Sequence, residues 1–262
     1  MNGCPYDSSA VFYMAALKGD LDLLKWVREK GGSWNPKICA SAAAGGQLEA
    51  LKWLRENGCS WDHTTCGSAG GGGHLEVLKW AVEEGAIVRR MGCEYAANGG
   101  HLEVLKWMKE KGYFWQATTA AAARGGHLEV LKWLLENGCP WSVRTCRDAA
   151  EKGHEEILKW VLNEKGYPWL EEICEGAARV GNLRLLKWAR EEGCPWSEST
   201  FAYAAAGGRL EILKWMRANG CPWDARVCAG AAGSLKLEVL KWLKEELSLG
   251  STNLRRGLAL RR

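Results

Sequence analysis

The tripeptide Leu-Lys-Trp occurs nine times in this chain, with Trp at 26, 53, 80, 107, 133, 160, 188, 215 and 242. Successive steps are 27, 27, 27, 26, 27, 28, 27 and 27 residues. The other seven Trp, at 34, 61, 115, 141, 169, 196 and 223, each follow eight or nine residues later. All sixteen therefore fall in two columns of one repeat, with Tyr6 and Val88 filling the second column where Trp is absent. A short fixed period of this kind points to stacked supersecondary blocks, none able to bury its apolar face alone.

The residues within a block predict two helices. Asp7, Asn35, Asp62, Ser142, Ser197 and Asp224 follow the second-column residue, where a side-chain oxygen accepts the orphan amides of a first helical turn. Pro36 sits at the first helical position, which needs no N–H. A short helix then runs through Ala pairs such as Ala42-Ala43, Ala149-Ala150 and Ala177-Ala178. Gly-Gly, as at 45-46, 72-73, 99-100, 125-126 and 207-208, ends it, with Gly supplying a left-handed cap. The second helix opens on His-Leu-Glu-Val-Leu-Lys-Trp, with Leu102, Leu105, Trp107 and Met108 as its expected apolar stripe and Glu103 and Lys106 opposite. Helices of ten or so residues hold only by stacking on neighbours. The expectation is an all-α solenoid of nine helix–turn–helix repeats over residues 1–250, with shortened inter-repeat loops and little or no β-structure. Small first helices against large second helices would curve it, first helices inside. Residues 251–262, with Arg255, Arg256, Arg261 and Arg262, are expected to form a basic flexible tail.

Bulk properties narrow the function. The chain has 262 residues and a formal net charge of +4, from 35 Lys and Arg against 31 Asp and Glu. That near balance does not suggest a phosphate backbone as ligand. No apolar run approaches the ~20 residues that span a bilayer, so no membrane is expected. The first residues show no secretory pattern, and eleven Cys is an odd number, so reduced thiols in the cytoplasm, or alternatively the nucleus, are expected.

The repeat resembles the ankyrin repeat. Thr65-Cys66…Ala69 followed by Gly73-His74-Leu75-Glu76-Val77-Leu78-Lys79 is similar to the family's Thr-Pro-Leu-His-x-Ala-Ala…Gly-His-x-Glu-Val-Val. Gly138-Cys139-Pro140-Trp141-Ser142 resembles the Gly-Ala-Asp-Val-Asn that closes an ankyrin unit. The resemblance runs from residue 3 to about 249 and is sharpest in the Gly-His-Leu-Glu-Val-Leu-Lys block. Three departures mark a short, Trp-rich variant like arrays of protists and large DNA viruses: a period near 27 rather than about 33, Thr-Cys for Thr-Pro-Leu-His, and Trp twice per unit. The missing residues would come from the β-hairpin finger. The resemblance implies a protein-binding scaffold, with the family's finger contacts removed.

Several features invite a sharper chemistry. Cys59/66, 139/146 and 221/228 form Cys-x6-Cys pairs, which suggests either a row of soft-metal sites or small packing residues. Zinc ligands prefer close Cys-x2-4-Cys pairs, and Phe12, Thr119 and Phe201 share the helix column, so packing is the expectation. His74, His101, His127 and His154 share a column with Asp20, Gln47, Asn182, Arg209 and Lys236, so they read as helix-start residues bonding local backbone rather than as catalysts. Gly70–Gly73 lacks the Lys-Ser/Thr of a phosphate loop and should weaken its helix by up to ~1 kcal/mol per Gly. Asp22, Glu49, Glu76, Glu103, Glu129, Glu156, Glu211 and Glu238 precede Lys by three, as solvent-facing helix pairs. The Trp ladders suggest either core or a stacking platform for bases, with core expected. No enzyme, cofactor or metal site is expected.

Columns common to all blocks build the fold, so the variable columns are where recognition resides. The first-helix positions flanking the Ala pair vary most. The partner-binding candidates there are Tyr13, Glu94, Tyr95, Asn98, Arg124, Arg147, Asp148, Glu151, Arg179 and Tyr203, a mixture of Tyr, Arg and acids suited to a protein partner. The alternative is a modular nucleic-acid reader. Two blocks are irregular: 86–92 lacks the Gly-Cys-Pro-Trp wording, and Glu155 replaces Leu. The chain starts inside a repeat at Gly3-Cys4-Pro5-Tyr6 without a polar cap, so self-association through the solenoid ends is a further expectation.

Overall fold

A computed structural model describes residues 8–113 and 118–246. Helices come in pairs: α1 (Ser8–Lys18) with α2 (Leu21–Glu29), α3 (Pro36–Ala44) with α4 (Leu48–Glu56), α5 (His63–Gly71) with α6 (Leu75–Glu83), α7 (Met91–Asn98) with α8 (Leu102–Glu110), and α9 (Thr118–Gly125) with α10 (Leu128–Glu136). They continue with α11 (Arg144–Lys152) and α12 (Glu155–Lys159), α13 (Glu171–Val180) and α14 (Leu183–Glu191), α15 (Glu198–Ala206) and α16 (Leu210–Ala218), and α17 (Arg226–Gly233) with α18 (237–246). No strand occurs among the described residues. The chain divides into two compact bodies, Met1–Thr145 and Cys146–Arg262. Within each, odd-numbered helices pack on odd-numbered neighbours, α1–α3–α5–α7–α9 in the first and α13–α15–α17 in the second. Tyr6, Asp7, Cys4, Trp115, the chain start and the basic tail lie outside the described residues.

The expected caps form. Asn35 Oδ1 accepts from the Lys37 amide at 3.0 Å, Asp62 Oδ1 from Thr64 at 2.8 Å, Ser197 Oγ from Ser199 at 3.0 Å and Asp224 Oδ1 from Arg226 at 2.9 Å. The Thr64 hydroxyl and amide together hold the Asp62 carboxyl below the usual carboxylate range. The Ala pairs of the inner repeats are buried, at 0 % exposure for Ala42, Ala43, Ala149, Ala150, Ala177 and Ala178, while Ala232 of the ninth repeat is exposed. Their small side chains let successive first helices approach closely.

The buried stripe of the second helix differs from the expected one. It is Val104, Leu105 and Met108, while Leu102 and Trp107 are only partly buried. The same offsets bury Ala50, Leu51 and Leu54, and Ile212, Leu213 and Met216. The Trp columns are therefore not core. Trp26 is 47 % exposed, and Trp160 at 7 % is the buried exception. The indoles instead tile the outside of the stack. Trp34 meets Trp53, Trp61 meets Trp80, Trp169 meets Trp188 and Trp196 meets Trp215 edge to face, with centroids 5.1–5.8 Å apart. An Arg from the preceding second helix lies over four of the turn indoles: Arg28 over Trp34 at 4.0 Å, Arg55 over Trp61 at 4.1 Å, Arg190 over Trp196 at 4.2 Å and Arg217 over Trp223 at 5.5 Å.

The Gly-Gly-His block is a clamp between repeats. The His74 ring bonds to Ala44 O at 3.0 Å, His101 to Gly71 O at 2.9 Å and His127 to Asn98 O at 3.1 Å, each reaching back to the end of the preceding first helix. Gln47 donates to Leu17 O and Arg209 Nε to Arg179 O in the same way. The expected bond to local backbone is thus corrected: the acceptor lies about thirty residues upstream. These carbonyls are the orphans of a helix C-terminus, and the next repeat satisfies them. A Cβ on Gly72 would stand 2.7 Å from Ala44 O, and one on Gly99 2.6 Å from Gly71 O, so the first Gly exists for this approach. The second has positive φ, +76° at Gly73, and the next repeat's imidazole fills the space where its Cβ would be. Asp20 and Asn182 in that column cap their own helices instead, accepting from Leu23 and Leu185 amides.

Irregular blocks find local solutions. The extra residue of the 28-residue step is absorbed by one π turn, Trp160–Glu164, after α12. The glycines of α5 do not break it. A Cβ on Gly70 would lie 3.2 Å from Gly92 O, so paired glycines bring α5 and α7 together. The cysteines are packing residues: all ten described are free thiols and nine are buried. Burial pushes Cys66 and Cys93 up to about 11, and Cys146 and Cys221 up to about 12. Turn-column thiols bond backbone carbonyls, as Cys194 Sγ to Leu170 O at 3.3 Å and Cys221 Sγ to Ser197 O at 3.5 Å.

Candidate interaction surface

In the first body, the candidates occupy separate places along the odd-numbered helices. Tyr13 Oη accepts from Asn35 Nδ2 at 3.0 Å, joining α1 to the cap of α3. Tyr95, 43 % exposed, lies across α5, where the space left by Gly67 and Gly71 receives it. A Cβ on Gly67 would be 3.0 Å from its ring. Glu94 pairs at 3.3 Å with Arg90, the residue just before its own helix. Asn98 and Arg124 are exposed at the ends of α7 and α9, and the Asn98 carbonyl is held by His127.

In the second body, four candidates come together. Arg147, Glu151, Arg179 and Tyr203, from α11, α13 and α15, line one small cavity of about 30 Å³ with Glu175 and Gly176. Glu151 pairs with the Arg179 guanidinium and with Arg147 Nε at 3.6 Å. Its side chain is 18 % exposed, against 46 % for Arg179, so a partly buried carboxylate holds two cations in place at the surface. Gly176 permits this arrangement. A Cβ there would lie 3.1 Å from Ala150 Cβ and 3.3 Å from Glu151 Cγ. Burial and the neighbouring Glu171 and Glu172 carboxylates push the Glu175 carboxyl up, with Arg147 opposing. Tyr203, 39 % exposed, stands at the edge.

One candidate is corrected. Asp148 is 5 % exposed and cannot present itself to a partner. It shares a column with Tyr95 and Tyr203, but its short side chain stays beneath the surface that a tyrosine's length reaches. Glu175 was absent from the expected set, although its variability within the column was a signal that could have included it. Among the described residues, no group of three or more His, Cys, Asp or Glu could hold a metal ion.

Stacked helix pairs with tight caps, and no strand among the described residues, define an all-α helical repeat protein. The family description "Ankyrin repeats (many copies)" matches residues 93–135, which run from within α7 to within α10. Over those residues the chain is similar to ankyrin repeats. Among solved structures, the ankyrin repeat domain of human ASB11 is similar at 22% identity, over 60% of this chain and 84% of that one, with a TM-score of 0.47. No curated protein matches the chain.

Proposed function

We propose that the chain is a non-catalytic scaffold that binds a protein partner through its odd-numbered helices. The observation that carries this reading is the α11–α13–α15 cluster, where Tyr203 stands beside two arginines held by Glu151. Exposed Tyr and Arg on a pre-organised network is the composition of an interface anchor. The contrast with α3, which offers only Ala and Ser at matching positions, supports a surface specialised in some repeats and plain in others. The ankyrin likeness supports protein recognition as the general role. Mixed charge at the cluster favours a protein over a phosphate backbone. No described helix is long and apolar enough to cross a membrane. We place the protein in the cytoplasm or nucleus, where its free thiols stay reduced.

The test is a triple variant, Arg147→Ala, Arg179→Ala and Tyr203→Ala, compared with the native chain in affinity capture with identification by mass spectrometry. A partner retained by the native chain and lost by the variant, at unchanged helicity by circular dichroism, is the expected result. A partner that survives all three changes overturns the assignment of the surface. Steeply salt-dependent binding of labelled single or double strands would replace the reading with nucleic-acid recognition.

A further inference from the structure

A different surface, on the even-numbered helices, departs from its own repeat rule. In five repeats the Lys of Leu-Lys-Trp pairs with a Glu three residues earlier: Lys52–Glu49 at 2.9 Å, Lys79–Glu76 at 2.9 Å, Lys106–Glu103 at 2.7 Å, Lys132–Glu129 at 2.9 Å and Lys214–Glu211 at 3.1 Å. Every other repeat has an acid at that place, but in α14 it is Arg184. Arg184 turns to Glu155, 3.2 Å away, the residue that stands where other second helices begin with Leu. Lys187 is exposed on α14 without the carboxylate that five of its counterparts hold.

Lys187 lies at the junction of two clefts. One, of about 380 Å³, is lined by Lys187, Arg190, Glu191, Trp196, Trp215 and Asn219. The other, of about 480 Å³, adds Leu183, Arg184 and Trp188 around the same Lys187 and Glu191. Together they form a groove with indole walls and a surplus of cations. The indole faces are already engaged. The Arg190 guanidinium lies 4.2 Å over Trp196, which meets Trp215 edge to face at 5.7 Å. Lys159 lies 6.0 Å over Trp188, which Trp169 meets at 5.1 Å. Bases would need free faces to stack on, whereas carboxylates need only the cations, and apolar side chains only the walls.

We propose that the groove between α14 and α16 binds an acidic peptide segment of a partner protein, its carboxylates meeting Lys187 and Arg184 and its apolar side chains entering the Trp-lined clefts. This surface is independent of the first-helix cluster.

The test is fluorescence anisotropy on the full chain with a labelled peptide of alternating Glu and Phe, its Gln-for-Glu counterpart, and a labelled oligothymidylate. Saturable binding of the Glu peptide is expected, about tenfold tighter than the Gln peptide, with a marked decrease as salt is added. Lys187→Glu is expected to weaken it about tenfold. The double variant Glu155→Leu with Arg184→Glu restores both repeat residues and gives Lys187 its carboxylate, so it is expected to lose binding while keeping or raising the thermal midpoint. The first-helix triple variant is expected to bind the Glu peptide as the native chain does. The proposal is overturned if the Glu peptide does not bind saturably, if Lys187→Glu and the double variant bind it unchanged, or if oligothymidylate binds more tightly than the peptide.

Discussion

Helices α3 and α13 hold equivalent places in the second and seventh repeats and bury matching residues. Ile38, Cys39, Ala42 and Ala43 on one correspond to Ile173, Cys174, Ala177 and Ala178 on the other, all at 0 % exposure. Their remaining positions share little. Where α3 has Lys37, Ala40, Ser41 and Ala44, α13 has Glu172, Glu175, Gly176 and Arg179. One framework thus carries a plain face and a charged one, and the two sets of positions vary independently. The lesson is that shared packing and variable surface occupy different columns of the same nine or ten residues.

The comparison breaks most visibly in the shared columns. Ile38→Ala and Ile173→Ala should each cost about 2–5 kcal/mol, by similar amounts despite their different surroundings, measured by urea unfolding. A large disparity would mean that the two frameworks are not equivalent. The clamp comes next. Gly72→Ala forces a Cβ towards Ala44 O and should cost about 1–3 kcal/mol, while His74→Ala, which leaves that carbonyl without its ring donor, should cost about 1 kcal/mol.

On the variable face the effects on folding should be small. Arg179→Ala removes a half-exposed partner of Glu151 and should change stability by less than ~1 kcal/mol, while affecting partner capture far more. The smallest expected effect separates the two helices by pH. The Glu175 carboxyl is raised in the folded chain, so its contribution is most favourable in acid and is lost as pH rises through its folded value. Thermal midpoints of native protein and Glu175→Gln should therefore diverge, with the variant gaining on the native chain from acid to neutral pH. Ala40, the matching residue of α3, should show no such dependence when changed to Gln.

What could be read in advance was whatever each block repeats. The caps at Asn35, Asp62, Ser197 and Asp224, the positive-φ glycines and the helix pairs follow from local rules applied many times over. Tertiary facts were less accessible. The acceptor of His74 lies thirty residues upstream, and nothing local marks it. The Trp columns looked like core because indole is apolar, yet the second helices bury mainly aliphatic residues such as Val104, Leu105 and Met108 and leave most indoles partly exposed. Asp148 and Arg147 are adjacent polar residues on one helix, and only the geometry of neighbouring helices separates the buried one from the exposed one. The cluster at Tyr203 depended on this geometry, whereas its membership in a variable column did not.

The reach of each donor into the preceding repeat makes the blocks interchangeable parts. Every block with a Gly-Gly-donor head fits any block with an open carbonyl at the end of its first helix, so the array could lengthen or shorten by whole blocks without new chemistry at the joint. The seventh block departs from this pattern. Its head is Val180-Gly181-Asn182, and Asn182 turns its oxygen to its own helix. A splice made there inherits a different joint, and rearranged arrays should tolerate cuts elsewhere better than at this seam.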